Sequence, residues 1–115
     1  MVELIDLEQL LIKMAEVEER IHRISNHAGV KGLLIVDENG KVLRTTMQPS
    51  EHTANPRMIA EKVTKLAKKA RSVVRDIDPL NDLTFFRVRA RRQEIMVAPD
   101  KHLFLIVIQT TESEQ

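Results

Sequence analysis

The sequence contains no cysteine, tryptophan or tyrosine, and only three glycines and three phenylalanines. The lack of cysteine excludes disulfides, a thiolate nucleophile and cysteine-ligated metal centres. The lack of aromatic rings leaves few surfaces on which nucleobases could stack. The glycines form no phosphate-binding loop, and no apolar run approaches the roughly 18 residues of a membrane span. These absences exclude several classes of enzyme and binding protein.

The remaining composition is typical of one soluble globular domain. The chain has 115 residues, of which 43% are hydrophobic and 30% charged, which fits one core rather than two. Its net charge of +1 favours neither nucleic acid nor a membrane surface. The first six residues lack the basic region of a signal peptide, so we do not expect secretion.

The first of two predicted helices has apolar residues at spacings of three and four, behind the suitable N-cap Asp6. Such a stripe can form a coiled coil or lie on a sheet. In so short a chain we favour packing on a sheet. The stripe consists of Leu7, Leu10, Met14, Val17, Ile21 and Ile24.

The second predicted helix begins at Asn55 and Pro56, which suit the N-cap and the first helical position. It ends at Asp78, because Pro79 disfavours helical geometry in the residue before it. Its apolar stripe consists of Ile59, Val63, Leu66, Ala70, Val73 and Ile77. Its other side is basic, with Lys62, Lys65, Lys68, Lys69, Arg71 and Arg75.

Five short segments are predicted to be strands. Asn39-Gly40 suits a type I′ turn with positive φ at both residues, so the first two strands should form a hairpin. The last strand is almost wholly apolar, which is typical of a central strand covered on both faces. The strands are expected at 32–36, 41–46, 83–90, 94–98 and 103–109. The order predicts an α+β domain with a mainly antiparallel five-stranded sheet.

No constellation of residues points to catalysis. The histidines are the candidates for proton transfer or metal ligation, but none has a helical partner at the spacing of four. Asp76, Asp78 and Asp82 are spaced like calcium ligands but lack the glycine hinge and the late glutamate. The histidines are His22, His27, His52 and His102. We therefore predict no enzyme activity, cofactor or metal site.

Arg87, Arg89 and Arg91 recur with a period of two, and Arg92 follows them. This pattern fits a docking strip for an acidic partner or for phosphates. It equally fits a charged edge strand that is protected against aggregation. Because an exposed edge can pair with another chain, we predict self-association through residues 83–89.

Six stretches of the sequence match a known pattern: 69–79, 81–85, 94–100 and 104–109, and also 15–19 and 29–32. In these stretches the sequence resembles the roadblock family of dynein light chains. The resemblance covers about residues 14–109 as a light-chain domain. Residues 1–13 form an extension that is expected to continue the first helix, and residues 110–115 a polar tail.

The resemblance implies a fold of the order α-β-β-α-β-β-β that dimerises edge to edge into one continuous sheet. It implies a non-catalytic adaptor that binds the dynein intermediate chain and supports motor assembly and cargo attachment in microtubule-based transport. The expected location is the cytoplasm and its cytoskeleton, or the axoneme of a cilium. The alternative within the same fold is a scaffold that regulates a small GTPase. Neither nucleic acid nor membrane is an expected partner.

Carried over by position, the resemblance assigns the dimer interface to one edge strand and part of the second helix. The interface residues are Leu83, Thr84, Phe85, Phe86, Arg87, Val88 and Arg89, together with Val63, Leu66 and Ala70. The candidate contacts to the intermediate chain are Arg87, Arg89, Arg91 and Arg92. The chain departs from the family in its extension and in the more basic stretch at 56–68, which leaves cytoplasmic and axonemal types open.

Overall fold

The computed structural model describes residues 15–47 and 55–111. The helices are α1, described over residues 15–25, and α2 (Pro56–Ile77). The strands are β1 (Val30–Asp37), β2 (Val42–Thr45), β3 (Phe86–Arg89), β4 (Gln93–Asp100) and β5 (Leu103–Thr110). The element order is the one that the sequence predicts. The helical continuation predicted for residues 1–13, His52, most of the loop before α2 and the tail beyond residue 111 lie outside the described residues.

The strands form one antiparallel sheet in the order β2-β1-β5-β4-β3. β5 therefore lies at the centre, as its apolar sequence predicts. Phe104, Ile106 and Ile108 face α2 in the larger core, and each is at most 3% exposed. Val107 and Leu33 face α1 in the smaller core on the other side of the sheet. The prediction of an α+β domain with helices packed on a five-stranded sheet is confirmed.

The turn between β1 and β2 differs from the predicted type. Gly40 has a φ of 85°, but Asn39 has no positive φ, so the turn is not of type I′. The Asp37 side chain accepts hydrogen bonds from the backbone N–H groups of Asn39 and Lys41, both at 2.9 Å. This bonding supports a three-residue loop that needs only one left-handed residue, at Gly40.

The strand predicted from Leu83 to Ala90 is shorter, because only Phe86–Arg89 pairs with β4. The chain turns at Pro79 and Leu80, and residues 81–85 then form a connection without strand pairing. In this connection the Asp82 carboxylate accepts the backbone N–H of Leu83 at 2.8 Å. β4, in contrast, continues through Pro99 to Asp100, beyond the predicted end. Pro99 is tolerated there because β3 pairs with β4 only as far as Val97.

Candidate protein-interaction surface

The face of α2 that packs on the sheet consists of small residues. Ala60 and Ala67 are fully buried, and Val63 and Thr64 are at most 6% exposed. Gly40 lies against this part of the helix, with Thr64 Oγ1 and the Glu61 Cα atom 3.6 Å from the position that a Cβ atom would take. Small side chains allow the helix and the β1–β2 turn to approach closely.

The predicted apolar stripe of α2 is rotated away from this buried face. Only Val63 belongs to both, whereas Leu66 is 45%, Val73 47% and Ile77 80% exposed. The exposed stripe lies on the flank away from β2, since Glu61 and Thr64 face the β1–β2 turn. The large apolar residues of α2 are thus left for another surface to cover.

Two lysines interleave with the exposed apolar residues. Lys62, Leu66, Lys69, Val73 and Ile77 follow one another at spacings of four, three, four and four, so they form one line along the helix. We call these five residues the α2 ridge. All five are exposed, and neither lysine forms an ion pair with another described residue.

β3 is an end strand of the described sheet, so its outer backbone groups have no strand partner there. Its register with β4 pairs Phe86 with Val97 and Val88 with Ile95, which places Phe86 and Val88 on the α2 side. Val88 is 40% exposed. The apolar side chains of the edge strand and the apolar flank of α2 therefore share one face of the sheet, and both features are typical of protein-interaction surfaces.

The connection between α2 and β3 adds further apolar area. Leu80 is 98% and Phe85 is 49% exposed. The connection is held by Asp82, whose carboxylate is 3.1 Å from the Arg75 guanidinium and 3.5 Å from that of Arg71. The hydrogen bond from the backbone of Leu83, followed by that from Arg75, lowers the pKa of Asp82 below its ordinary value.

The four arginines predicted to bind a partner are divided into two groups. Arg87 and Arg89 point to the buried carboxylate of Glu94, at 2.7 and 4.0 Å. Arg91 and Arg92 lie in the β3–β4 turn, where their carbonyl groups accept hydrogen bonds from Thr111. The structure thus gives Arg87 and Arg89 an internal partner in Glu94, which neither the docking-strip nor the charged-edge interpretation of the sequence predicted.

Glu94 is a residue that the sequence analysis did not single out. It is 3% exposed, which is unusual for a carboxylate without a charged partner. A signal was present, because a tight turn at Arg91-Arg92 places Arg89 opposite Glu94 in the next strand. Buried charge beside two arginines is explained by pairing and needs no catalytic role.

The other predicted candidates for chemistry lie apart. His22 contacts Asn26 on α1, whereas His102 lies 3.0 Å from Glu38, where the β4–β5 and β1–β2 turns meet. No group of three or more potential ligands is placed to hold a metal within 15–47 and 55–111. In the same ranges, no helix has the length and apolarity needed to cross a membrane.

An apolar groove lies on the opposite face of the sheet, with a volume of about 220 Å³. It runs between α1 and β5, and Val17, Ile21 and Leu105 contribute to its walls. Val17 is 44% exposed, and Leu103 at the end of the groove is 38% exposed. Its walls include Ile21 and Leu33, which belong to the smaller core.

Comparison with known proteins matches the Roadblock/LC7 domain model to residues 16–110. A Roadblock/LC7 domain from Streptomyces avermitilis has 13% identity, a TM-score of 0.67, and coverage of 77% of this chain and 72% of that chain. The gliding protein MglB from Thermus thermophilus has 15% identity, a TM-score of 0.69, and coverage of 80% and 69%. An MglB with a tetrameric arrangement has 14% identity, a TM-score of 0.70, and coverage of 84% and 71%. At these identities the solved structures establish the fold.

Proposed function

The chain belongs to the Roadblock/LC7 family, and from this premise we propose that it is a non-catalytic adaptor that self-associates and binds a further protein. The observation that carries the proposal is the exposed apolar flank of α2, on the same face of the sheet as Phe86 and Val88 of the end strand β3. A water-exposed surface with Leu66, Val73, Ile77 and Val88 favours association, because burying such side chains is stabilising.

Two copies of the chain could associate through this surface, related by a two-fold axis. Antiparallel pairing of β3 with its equivalent would join two five-stranded sheets and place both α2 helices on one face. The α2 ridges would then run antiparallel, next to each other. This arrangement would bury Phe86 and Val88 together with Leu66 and Ala70, residues that the family resemblance assigns to the interface.

For the finer function we propose a light chain of dynein, active at the microtubule cytoskeleton in cytoplasm or axoneme. The support is the resemblance of residues 69–109 to the dynein light chains. This part of the chain includes the second half of α2, the connection at Asp82 and the strands β3, β4 and β5. In this role the dimer offers two equivalent surfaces. A partner with two binding segments then gains effective concentration from the pair.

The test is affinity purification of the tagged full chain from a native extract of its source, with mass spectrometry of the bound chains. Recovery of a dynein intermediate chain, followed by direct binding of that purified chain, supports the proposal. The type of intermediate chain distinguishes the cytoplasmic from the axonemal form. Val88→Asp serves as the association-deficient comparison, and Val88→Thr as its matched control.

The second candidate is the GTPase scaffold that the resemblance offers as its alternative. The same purification distinguishes the two functions. A small GTPase that binds the purified chain in only one nucleotide state, with no dynein subunit recovered, would replace the dynein proposal. The Roadblock/LC7 fold and the self-association would remain unaffected by that result.

A further inference from the structure

The lysines of the α2 ridge bear on which partner fits it. Lys62 and Lys69 alternate with Leu66 and Val73 on the same line of the helix. α2 has seven basic residues and only two acidic ones, although the whole chain has a net charge of +1. Positive charge is thus concentrated on the helix that also carries most of the uncovered apolar area.

Some basic side chains of α2 form ion pairs with carboxylates in the described part of the chain, and others do not. Lys65 pairs with Glu61 at 3.5 Å, and Arg71 and Arg75 pair with Asp82. Lys62 and Lys69 have no such carboxylate among the described residues. Their ammonium groups would therefore meet the charges of any helix that covers the ridge.

An identical copy is an imperfect partner for this ridge. In a two-fold interface each residue of the patch meets the same patch, so the lysines of one copy face a surface that also contains two lysines. Residues near the axis meet their own equivalents. Lys69 is close to the middle of the exposed line between Met58 and Ile77, so two ammonium groups would approach each other there.

We propose that the α2 ridge selects a partner helix that alternates apolar side chains with carboxylates, in preference to a second identical copy. The carboxylates would lie opposite Lys69 and Lys62, and the apolar residues would cover Leu66 and Val73. This inference rests on the proposed association through α2 and specifies the chemistry of the partner. It makes the identical pair a weaker assembly than a complementary one.

The experiment uses a charge-reversed form of the same chain as the acidic probe. Wild type and Lys69→Glu are mixed in equal amounts at low salt, and native mass spectrometry measures each dimer. We expect the squared concentration of the mixed dimer, divided by the product of the concentrations of the two identical dimers, to exceed its statistical value of about four by three- to tenfold. The reason is that an attractive pair of opposite charges replaces a repulsive pair of like charges. That excess corresponds to about 0.6–1.4 kcal/mol. Lys62→Glu should act in the same direction.

Lys68→Glu is the matched control, because it makes the same charge change one residue away, off the ridge. It should mix with wild type at the statistical ratio. A neutral variant, Lys69→Gln, should strengthen the identical pair. Salt should strengthen the wild-type pair and weaken the mixed pair with Lys69→Glu, because screening reduces repulsion and attraction alike.

Statistical mixing of wild type with Lys69→Glu, in a wild type that does dimerise, would overturn the charge selection but leave the proposed association intact. A wild type that stays monomeric in every mixture would overturn both. Binding of the wild type to vesicles of anionic phospholipid, lost in Lys69→Glu but kept in Lys68→Glu, would assign the lysines to a membrane and overturn the partner-helix proposal.

Discussion

Glu94 and Asp82 each pair with two arginines near β3, but they differ in how deeply they are buried. Glu94 is almost fully buried and faces two arginines of the edge strand. Asp82 is half-exposed and stabilises the connection before that strand, because its carboxylate accepts a backbone hydrogen bond and forms ion pairs with two guanidinium groups. Both stabilise the position of β3, on which the interaction surface depends.

Arg87→Ala should destabilise the fold more than Glu94→Ala does. Removal of Arg87 leaves a buried carboxylate with a weaker partner, at a cost of about 1–3 kcal/mol. Removal of Glu94 lets two exposed arginines return to water, at a cost of about 1 kcal/mol or less. Urea unfolding measures both free energies. A double variant less stable than Arg87→Ala would contradict this asymmetry.

Asp82→Asn should reduce the dependence of the free energy of unfolding on pH in the acidic range. The pKa of Asp82 in the fold lies below its ordinary value of 3.8, because the Leu83 backbone and Arg75 favour the charged form. Its contribution is therefore complete above that ordinary value and is lost as the pH falls through the folded-state pKa. Wild type should be the more stable protein at pH 6 and should lose this advantage as the pH falls below 3.8 and through the folded-state pKa. A difference in urea midpoint that is independent of pH would be inconsistent with this role.

At the scale of elements, local sequence sets the ends of α2, whereas packing sets its rotation on the sheet. At its start, the Asn55 side chain accepts the backbone N–H of Arg57 at 2.8 Å, and Pro56 occupies the first turn. Its rotation on the sheet is set by Ala60 and Ala67, which let the helix approach closely. The larger residues of the stripe are consequently turned outward.

Asn55→Ala should destabilise the protein by about 1 kcal/mol, because the first turn of α2 loses its side-chain acceptor. Asn55→Ser is the matched control, since a hydroxyl group can accept the same hydrogen bond, and it should stay within a few tenths of a kcal/mol of wild type. Thermal and urea unfolding monitored by circular dichroism measure the effect. Equal losses in both variants would mean that the cap contributes nothing to stability.

At the scale of the whole molecule, the two edges of the described sheet are unlike. β2 lies at one edge, and β3 lies at the other with Phe86 and Val88 on the face of the sheet that α2 covers. The β3 edge combines unpaired backbone groups with a helix flank of uncovered apolar residues on the same face. We therefore expect association through β3, because it would cover apolar side chains of the edge strand and of α2 together.

Val88→Asp should abolish self-association, because a charge placed in the joined edge would face its own equivalent or be buried without a partner. Val88 is suited to this test since it is 40% exposed in the single chain, whereas Phe86 contributes to the core. Sedimentation velocity should show a monomer for Val88→Asp and a dimer for Val88→Thr. A dimer that persists in a folded Val88→Asp protein would mean that β3 is not the joining edge.

The sequence by itself determined the elements and their order. Helical spacing, the cap at Asn55, the stop at Pro79 and the apolar run of β5 are local features, and the central place of β5 followed from its lack of polar residues. The strand that begins at Leu83 was predicted too long, because the alternation of its residues favours a strand. The connection at Asp82 that replaces its first part depends on Arg71 and Arg75 of α2, which lie outside the predicted strand. The turn at Asn39-Gly40 was assigned the wrong type since Asp37 supplies its bonds.

Only the tertiary structure decided which side of α2 faces the sheet and that Glu94 is buried. Periodicity defines an apolar stripe, but it does not say whether the core or a partner covers it. Here the close approach of Ala60 and Ala67 to the sheet fixes the rotation of the helix and leaves Leu66 and Val73 at the surface. The exposed apolar flank of α2 exists because small residues, rather than large ones, lie at the point of closest contact with the sheet.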